Sequence, residues 1–294
     1  MNILPIERQT AIISALCEGM SIRATERLTD THRDTIMRLG VRVGTGCAQL
    51  HNAMMRDLNV SRIELDELWA YIGKKQRRVT ETDDGSKGDC YTFIAMDATN
   101  KAIISYRSGK RDGLTTEHFL TDLRTRVLGR PIIHSDGFSA YEEMMRWTFG
   151  DTADYGQIIK RVAGEPPFPA ARRYSPGAVV GVNRRVVTGD PGRISTSYVE
   201  RQNLSVRMAS RRFTRLTNGF SKKAENHAAA VALYVAHFNL CRVHETIRTT
   251  PAMALGITDH VWSIAELIDA ALHGRAEPPS QWYRRFRVID GGRS

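Results

Sequence analysis

The stretch RIELDELWAYIG, Arg62–Gly73, decides how the rest of the chain is read. Ile63, Leu65, Leu68, Trp69, Ala70, Tyr71 and Ile72 make a mostly apolar, aromatic- and β-branched-rich run of the kind that forms a strand. Asp66 stands inside that run, with Glu67 next to it. A carboxylate in an apolar strand costs several kcal/mol unless it is paired or bound. Asp66 is therefore a candidate ligand for a cation, and Glu67 is its rival.

Working outward, CYTFIAMDAT (90–99) and KAIISYRSG (101–109) read as two further strands joined by a short Asn-containing turn. Asp97, at the end of the first, is assigned to that turn. TTEHFLTDLRTRVL (115–128) sets Phe119, Leu120, Leu123 and Val127 on one helical face. RPIIHSD (130–136) is a short buried-type strand ending at Asp136, and a helix from Phe138 to Trp147 follows. ADYGQIIKRV then reads as another strand. Strands in sequence, a helix and another strand predict an α/β layered domain over residues 60–245. Two connections stand out. The polar segment 74–89 offers Lys74 and Lys75 to a polyanion. The Pro-, Gly- and Arg-rich segment 163–193 is expected to be a long functional connection. A helix from about Ser195 through Arg212 and an apolar one over 224–244 close the domain, and 246–294 is read as a C-terminal tail.

Residues 1–50 have a different character. Ile6, Ile12, Ile13, Leu16 and Cys17 have helical spacing, and Gly19 ends that helix. Ser21 and Thr31 are positioned to cap a second and a third helix, the third with Ile36 and Leu39 inward. The tight LTDTH turn between them suggests a helix-turn-helix DNA-binding module that offers His32, Arg33, Asp34 and Arg38 to a major groove. A plain helical cap with a solvated polar face is the alternative.

Asp66, Asp136 and Glu200 come from separate elements, and Asp136 sits at the C-terminal end of a strand, where α/β sheets place ligands. Three carboxylates can hold two Mg²⁺ or Mn²⁺ ions ~4 Å apart, the arrangement for in-line phosphoryl transfer. Competing readings make Asp136 a turn or cap, Glu200 a capping-box partner of Ser197, and His134 a packed histidine. Asn203 and Arg207 lie at +3 and +7 from Glu200, on one helix face with it. From Arg201 to Lys223 there are seven basic residues and no acid, among them Arg211, Arg212 and Arg215. Such a row suits a phosphate backbone better than a solvated face of mixed sign.

The chain has 294 residues, 42 Lys+Arg against 32 Asp+Glu, a net charge of +10 and a pI near 9.7. The basic excess favours a polyanionic partner. Cys17, Cys47, Cys90 and Cys241 are too scattered for a zinc knuckle or a redox pair, and no apolar stretch is long enough to span a membrane. A reducing cytoplasm is the expected setting.

Taken together, LDELWAYIGKK, IIHSDGFSAY and SYVERQNLSVRMASRRFTRLTNGFSKK resemble the DDE transposases of bacterial insertion sequences, the group of the first-numbered, very small insertion element. HFNLCRVHETIRTTPAMALGI resembles the segment that follows the catalytic glutamate in such enzymes, so the likeness covers roughly residues 60–257. It implies an RNase H-like, retroviral-integrase-like fold and Mg²⁺-dependent cutting and joining of DNA. It also implies binding to terminal inverted repeats and target DNA, and a homodimer or larger assembly on DNA. Asp66, Asp136 and Glu200 become the metal ligands, with Asn203 and Arg207 as helpers. Some members carry an N-terminal zinc finger; this chain has no cysteine set for one, which leaves end recognition to residues 5–45. A DNA-binding repressor or catalytically silent derivative, and a junction resolvase of similar fold, are the other readings.

Overall fold

The computed structural model describes residues 4–163, 179–214 and 218–274. Among them, β1 (Arg62–Ile72), β2 (Gly88–Asp97), β3 (Ile103–Gly109), β4 (Ile132–Asp136), β5 (Asp154–Val162) and β6 (Val179–Thr188) form one sheet, ordered β3–β2–β1–β4–β5–β6. β1, β2 and β3 are an antiparallel meander. β4 adds to the other side of β1 in parallel, β5 adds parallel to β4, and β6 returns antiparallel to β5. The β2–β3 turn has Asp97 in the expected role: its two carboxylate oxygens accept from Thr99 N at 2.9 Å and Asn100 Nδ2 at 2.7 Å. Lys101 takes the left-handed φ of 60° that the turn requires.

β6 corrects the expectation that 163–193 is connection throughout. Its sequence VVGVNRRVVT breaks the apolar alternation at Asn183–Arg185, and most of its length is exposed. The in-out hydrophobic period that marks a half-buried strand is therefore missing, and pairing to β5 is what orders it.

The period of two along β1 sorts its side chains onto two layers. Ile63 and Leu65 face α4 (Gly113–Arg124) and α5 (Ser139–Thr148), where Phe119, Leu123 and Tyr141 pack with Phe93 and Ala95 of β2. Leu68 and Ala70 face α6 (Ser197–Ala209) and α7 (Ala224–Ala236), meeting Val199, Val206, Val231 and Val235 beside Ile94 and Met96. The helix expected over 224–244 ends its α form at Ala236 and continues as a π turn, His237–Cys241. A π turn takes one more residue per hydrogen-bonded loop than an α turn and so re-aims the side chains that follow it. Here it places the buried Asn239 amide against β3, donating to Ile103 O at 2.8 Å and accepting from Ile103 N at 3.0 Å.

Residues 6–54 fold as α1 (Ile6–Cys17), α2 (Ile22–Thr29) and α3 (Arg33–Met54). Ser21 caps α2 as expected, accepting from Ala24 N at 3.1 Å. Thr31 does not cap α3; it is buried and donates to Thr29 O. The cap is His32, whose Nδ1 accepts from Asp34 N at 3.3 Å. α3 runs past residue 50 and is bound into the same buried cluster as the sheet. A Cβ on Gly44 would lie 2.2 Å from Ala229 O, and one on Gly46 would lie 1.9 Å from Ala271 O. The two glycines thus let α3 touch the backbones of α7 and of a late helix, α9 (Ile264–His273). His51, fully buried, bonds Ile104 O at 2.9 Å, and burial pushes its pKa down to about 3. Within the expected tail, a short helix, α8 (Pro251–Ala254), and α9 fold onto this core, α9 starting with a Ser263–Glu266 capping box. Residues 275–294 lie outside the described ones. The described cysteines are free, three buried and Cys241 half-buried, and no described helix is long and apolar enough to cross a membrane.

Candidate active site

Strand register brings the two aspartates together. Arg62, Ile63 and Glu64 pair with Ile132, Ile133 and His134. Continued two residues further, the same offset sets Asp66 beside Asp136, each at the point where the β1–β4 ladder opens. Asp66, Glu67 and Asp136 each offer an oxygen within 4.8 Å of the others. Parity then separates the rivals. Asp66 projects to the side of α6, with Leu68 and Ala70. Glu67 projects to the side of α5, where it accepts from Arg111 Nε at 3.0 Å beside the buried Tyr141. Arg111 also reaches Asp136 at 3.6 Å and lies 3.9 Å over the Phe138 ring. Asp136 Oδ1 accepts from Phe138 N at 3.0 Å, so the turn role and a place in the acid cluster coexist.

α6 lies across β1 on the Asp66 side, and a residue the sequence reading missed fixes it there. Glu64 is fully buried, and its Oε2 accepts from Tyr198 N at 2.7 Å and Val199 N at 3.1 Å. These are first-turn N–H groups of a helix, which have no partner within it. A second acid two residues before Asp66 in a strand was the signal available for this role. The capping box expected of Ser197 and Glu200 is absent. The N-cap is Thr196, without a side-chain cap bond; its hydroxyl instead donates to Glu200 Oε1 at 2.6 Å. Glu200 is also ion-paired with Lys160 of β5 and stands outside the tight group of three acids.

Asn203 is the clearest correction to the expected DNA contacts. It is only 2% exposed, and its Nδ2 donates to Asp66 Oδ2 at 2.7 Å. Asn203 therefore orients an acid and does not face solvent. Arg212 also turns inward, donating to Ser221 Oγ at 2.8 Å, and burial lowers the pKa of its guanidinium. Arg207 is half-buried and Arg211 exposed; Arg215 lies outside the described residues. His32, Arg33 and Arg38 are exposed at the start of α3. Lys74 pairs with Asp83 at 2.6 Å, while Lys75 is exposed and 6.0 Å from the Tyr71 ring centre. His134 is packed as expected: Nε2 bonds Pro191 O at 2.9 Å, Nδ1 accepts from Ser195 N at 3.4 Å, and burial holds its pKa down.

The electrostatics identify a centre short of positive charge. Burial, then Glu67, and further Asp136 and Glu200, push the Asp66 pKa up to about 7. Burial and the charge of Asp136 also raise Glu67. A divalent cation would relieve both effects, and the donor set is all carboxylate oxygen, the hard ligand type that suits Mg²⁺. The residues present therefore fit such an ion, with Asp66, Glu67 and Asp136 close enough together to share it and Glu200 outside that group.

No protein-family model matches the sequence, and no curated protein matches it. Among solved structures, a piggyBac transposase synaptic complex with hairpin DNA overlaps at a TM-score of 0.41 with 11% identity, over 98% of this chain and 73% of that one. The Mos1 strand transfer complex overlaps at a TM-score of 0.24 with 12% identity, over 81% of this chain and 78% of that one. Overlaps this small are faint likenesses and decide nothing about activity.

Proposed function

We propose that the chain is an RNase H-like DDE transposase, an enzyme that cuts DNA at the ends of an insertion element and joins the freed ends to target DNA. One observation supports the reading: Asp66 and Asp136 belong to one acid cluster across the parallel β1–β4 pair, and α6, the helix of Glu200, bonds Asp66 through Asn203. The sequence resemblance supports it. Asp66 and Asp136 would hold a pair of Mg²⁺ or Mn²⁺ ions between them, with Glu200 completing the set. Such a pair, when bound, activates the attacking hydroxyl and takes up charge on the leaving oxygen. The protein's own part is orientation. Asn203 fixes the Asp66 rotamer, Glu64 anchors the helix that carries Glu200, and Arg111 bridges Glu67 and Asp136 within the acid cluster. The exposed start of α3 and the basic residues after Glu200 would bind phosphates. Juxtaposing two ends requires a dimer or a larger assembly.

A second reading, a DNA-binding protein without turnover, is favoured by one contact: Glu200 is taken up by Lys160 and not by the aspartate pair. The test is cleavage of a labelled duplex carrying the inverted repeat that flanks the coding sequence, in Mg²⁺ and in EDTA. Wild type should nick it only with Mg²⁺. Asp66→Asn, Asp136→Asn and Glu200→Gln should bind it without nicking. Binding with no nicking by wild type would favour the second reading. Preference for a four-way junction over the repeat would indicate a resolvase.

A further inference from the structure

β5 and β6 form the outer edge of the sheet on the side of the acidic centre, and this edge carries an unusual surface. From Tyr155 to Val162 and from Val179 to Thr188 there is no acid, whereas Lys160, Arg161, Arg184 and Arg185 are basic. Register places Lys160 opposite Val182, Ile158 opposite Arg184 and Arg161 opposite Gly181. Val180 is 67% exposed and Val182 46%. Arg161 is exposed and has no hydrogen-bond or ion-pair partner among the described residues.

We propose that the β5–β6 ribbon is a docking surface for duplex DNA, which it leads past Glu200 into the acidic centre. The inference rests on the reading of the chain as a DNA-processing enzyme and names the part of it that grips the substrate. Three observations favour this occupant. Every charged side chain on these residues is basic, and although Lys160 is paired with Glu200, Arg185 with Glu142, and Arg184 bonds Ile194 O, Arg161 is exposed without such a partner among the described residues. A two-stranded ribbon has the width that a major groove admits. Lys160 reaches Glu200 directly, so the face that carries Lys160 and Val182 is continuous with the acid site, and Arg161, on the opposite face, would meet the other wall of a groove that takes the ribbon between its two backbones. A second copy of this chain fits less well. Two β6 strands paired antiparallel about their centres would crowd Arg184 and Arg185 of each copy together, and like charges across a ladder repel. Arginines on an edge are a device against such pairing.

The experiment is binding of a labelled duplex to the full chain in EDTA, by fluorescence anisotropy across a salt series. The proteins are wild type, Arg161→Ala, Val182→Asp and, at the opposite edge of the sheet, Arg107→Ala. Arg161→Ala should lower the slope of log K against log salt by about 1 and weaken binding about eightfold at roughly 0.1 M salt, the value of one released counterion. Val182→Asp should weaken binding at least as much, and Arg107→Ala should leave it unchanged. Both ribbon substitutions are at exposed positions, and equal melting temperatures would show that the fold is intact. If both ribbon variants bind like wild type while wild type still nicks with Mg²⁺, the inference falls and the proposed function stands. A change in dimerisation without a change in DNA affinity would overturn it in favour of a copy-to-copy edge. If wild type binds no duplex, both readings fall together.

Discussion

Replacing Asp66 by Asn should make the metal-free protein more stable at alkaline pH while abolishing cleavage. The Asp66 carboxyl is raised from 3.8 to about 7, chiefly by burial and then by Glu67. An acid raised in this way favours its protonated form in the folded state, so the anion is a stability cost. That cost is absent below pH ~4, grows through the window up to about 7, and is full above it. At ~1.36 kcal/mol for each pH unit the upper bound is ~4 kcal/mol, reduced because the site is partly open to water. Asn offers one acceptor where Asp offers two, so the bond from Glu67 N or that from Asn203 is lost, at ~1 kcal/mol. A net gain of ~3 kcal/mol or less remains at pH 8, and a small loss at pH 4. Melting followed by calorimetry in EDTA at the two pH values would read this as a rise of roughly 5–10 °C at pH 8 only. Adding Mg²⁺ should then stabilise wild type and not the variant. If Asp66→Asn lowers the melting temperature equally at both pH values, the carboxylate is already compensated, and the argument for a cation-deficient centre fails.

Other outcomes follow from the same geometry. Asn203→Ala should cut cleavage by about 10–100-fold and raise the Mg²⁺ needed, with duplex affinity unchanged, because it loosens Asp66 and touches nothing on the DNA. Glu64→Ala should lower the urea midpoint by the equivalent of ~2 kcal/mol, since two N–H groups at the start of α6 lose their acceptor; Glu64→Gln should cost less. Gly44→Ala should destabilise by ~2–3 kcal/mol in the same assay, because the contacted atom is backbone of α7 and the helices must part.

Much of this was readable from residue types alone, and the reasons differ by element. β1, β4 and α4 showed themselves because burial imposes a period on their apolar residues. The turn role of Asp97 and the packing of His134 followed from local sequence. Asp66 and Asp136 stood out because a charge in an apolar strand needs a partner, and their adjacency in space comes from parallel register, which no local pattern encodes. β6 was missed because an edge strand exposed along most of its length has no inside to mark. Glu64 was missed because its partners, the N–H groups of α6, lie 134 and 135 residues away along the chain. Asn203 lies on the helix that its spacing predicts but points at Asp66, because spacing groups residues on a face and does not say whether that face meets water or a strand.

The adjacency of Asp66 and Glu67 on opposite sides of β1 has a consequence for errors in folding. A slip of one residue would still present a carboxylate to α6, Glu67 in place of Asp66. The same slip would swing Leu68 away from Val199 and Val206 and bring an acid to the fully buried position of Leu65. A misregistered chain thus gains an acid at the site only by losing the packing of both layers. The interior acts as a proofreader: molecules in the wrong frame fail to fold before they can assemble a stray acidic centre.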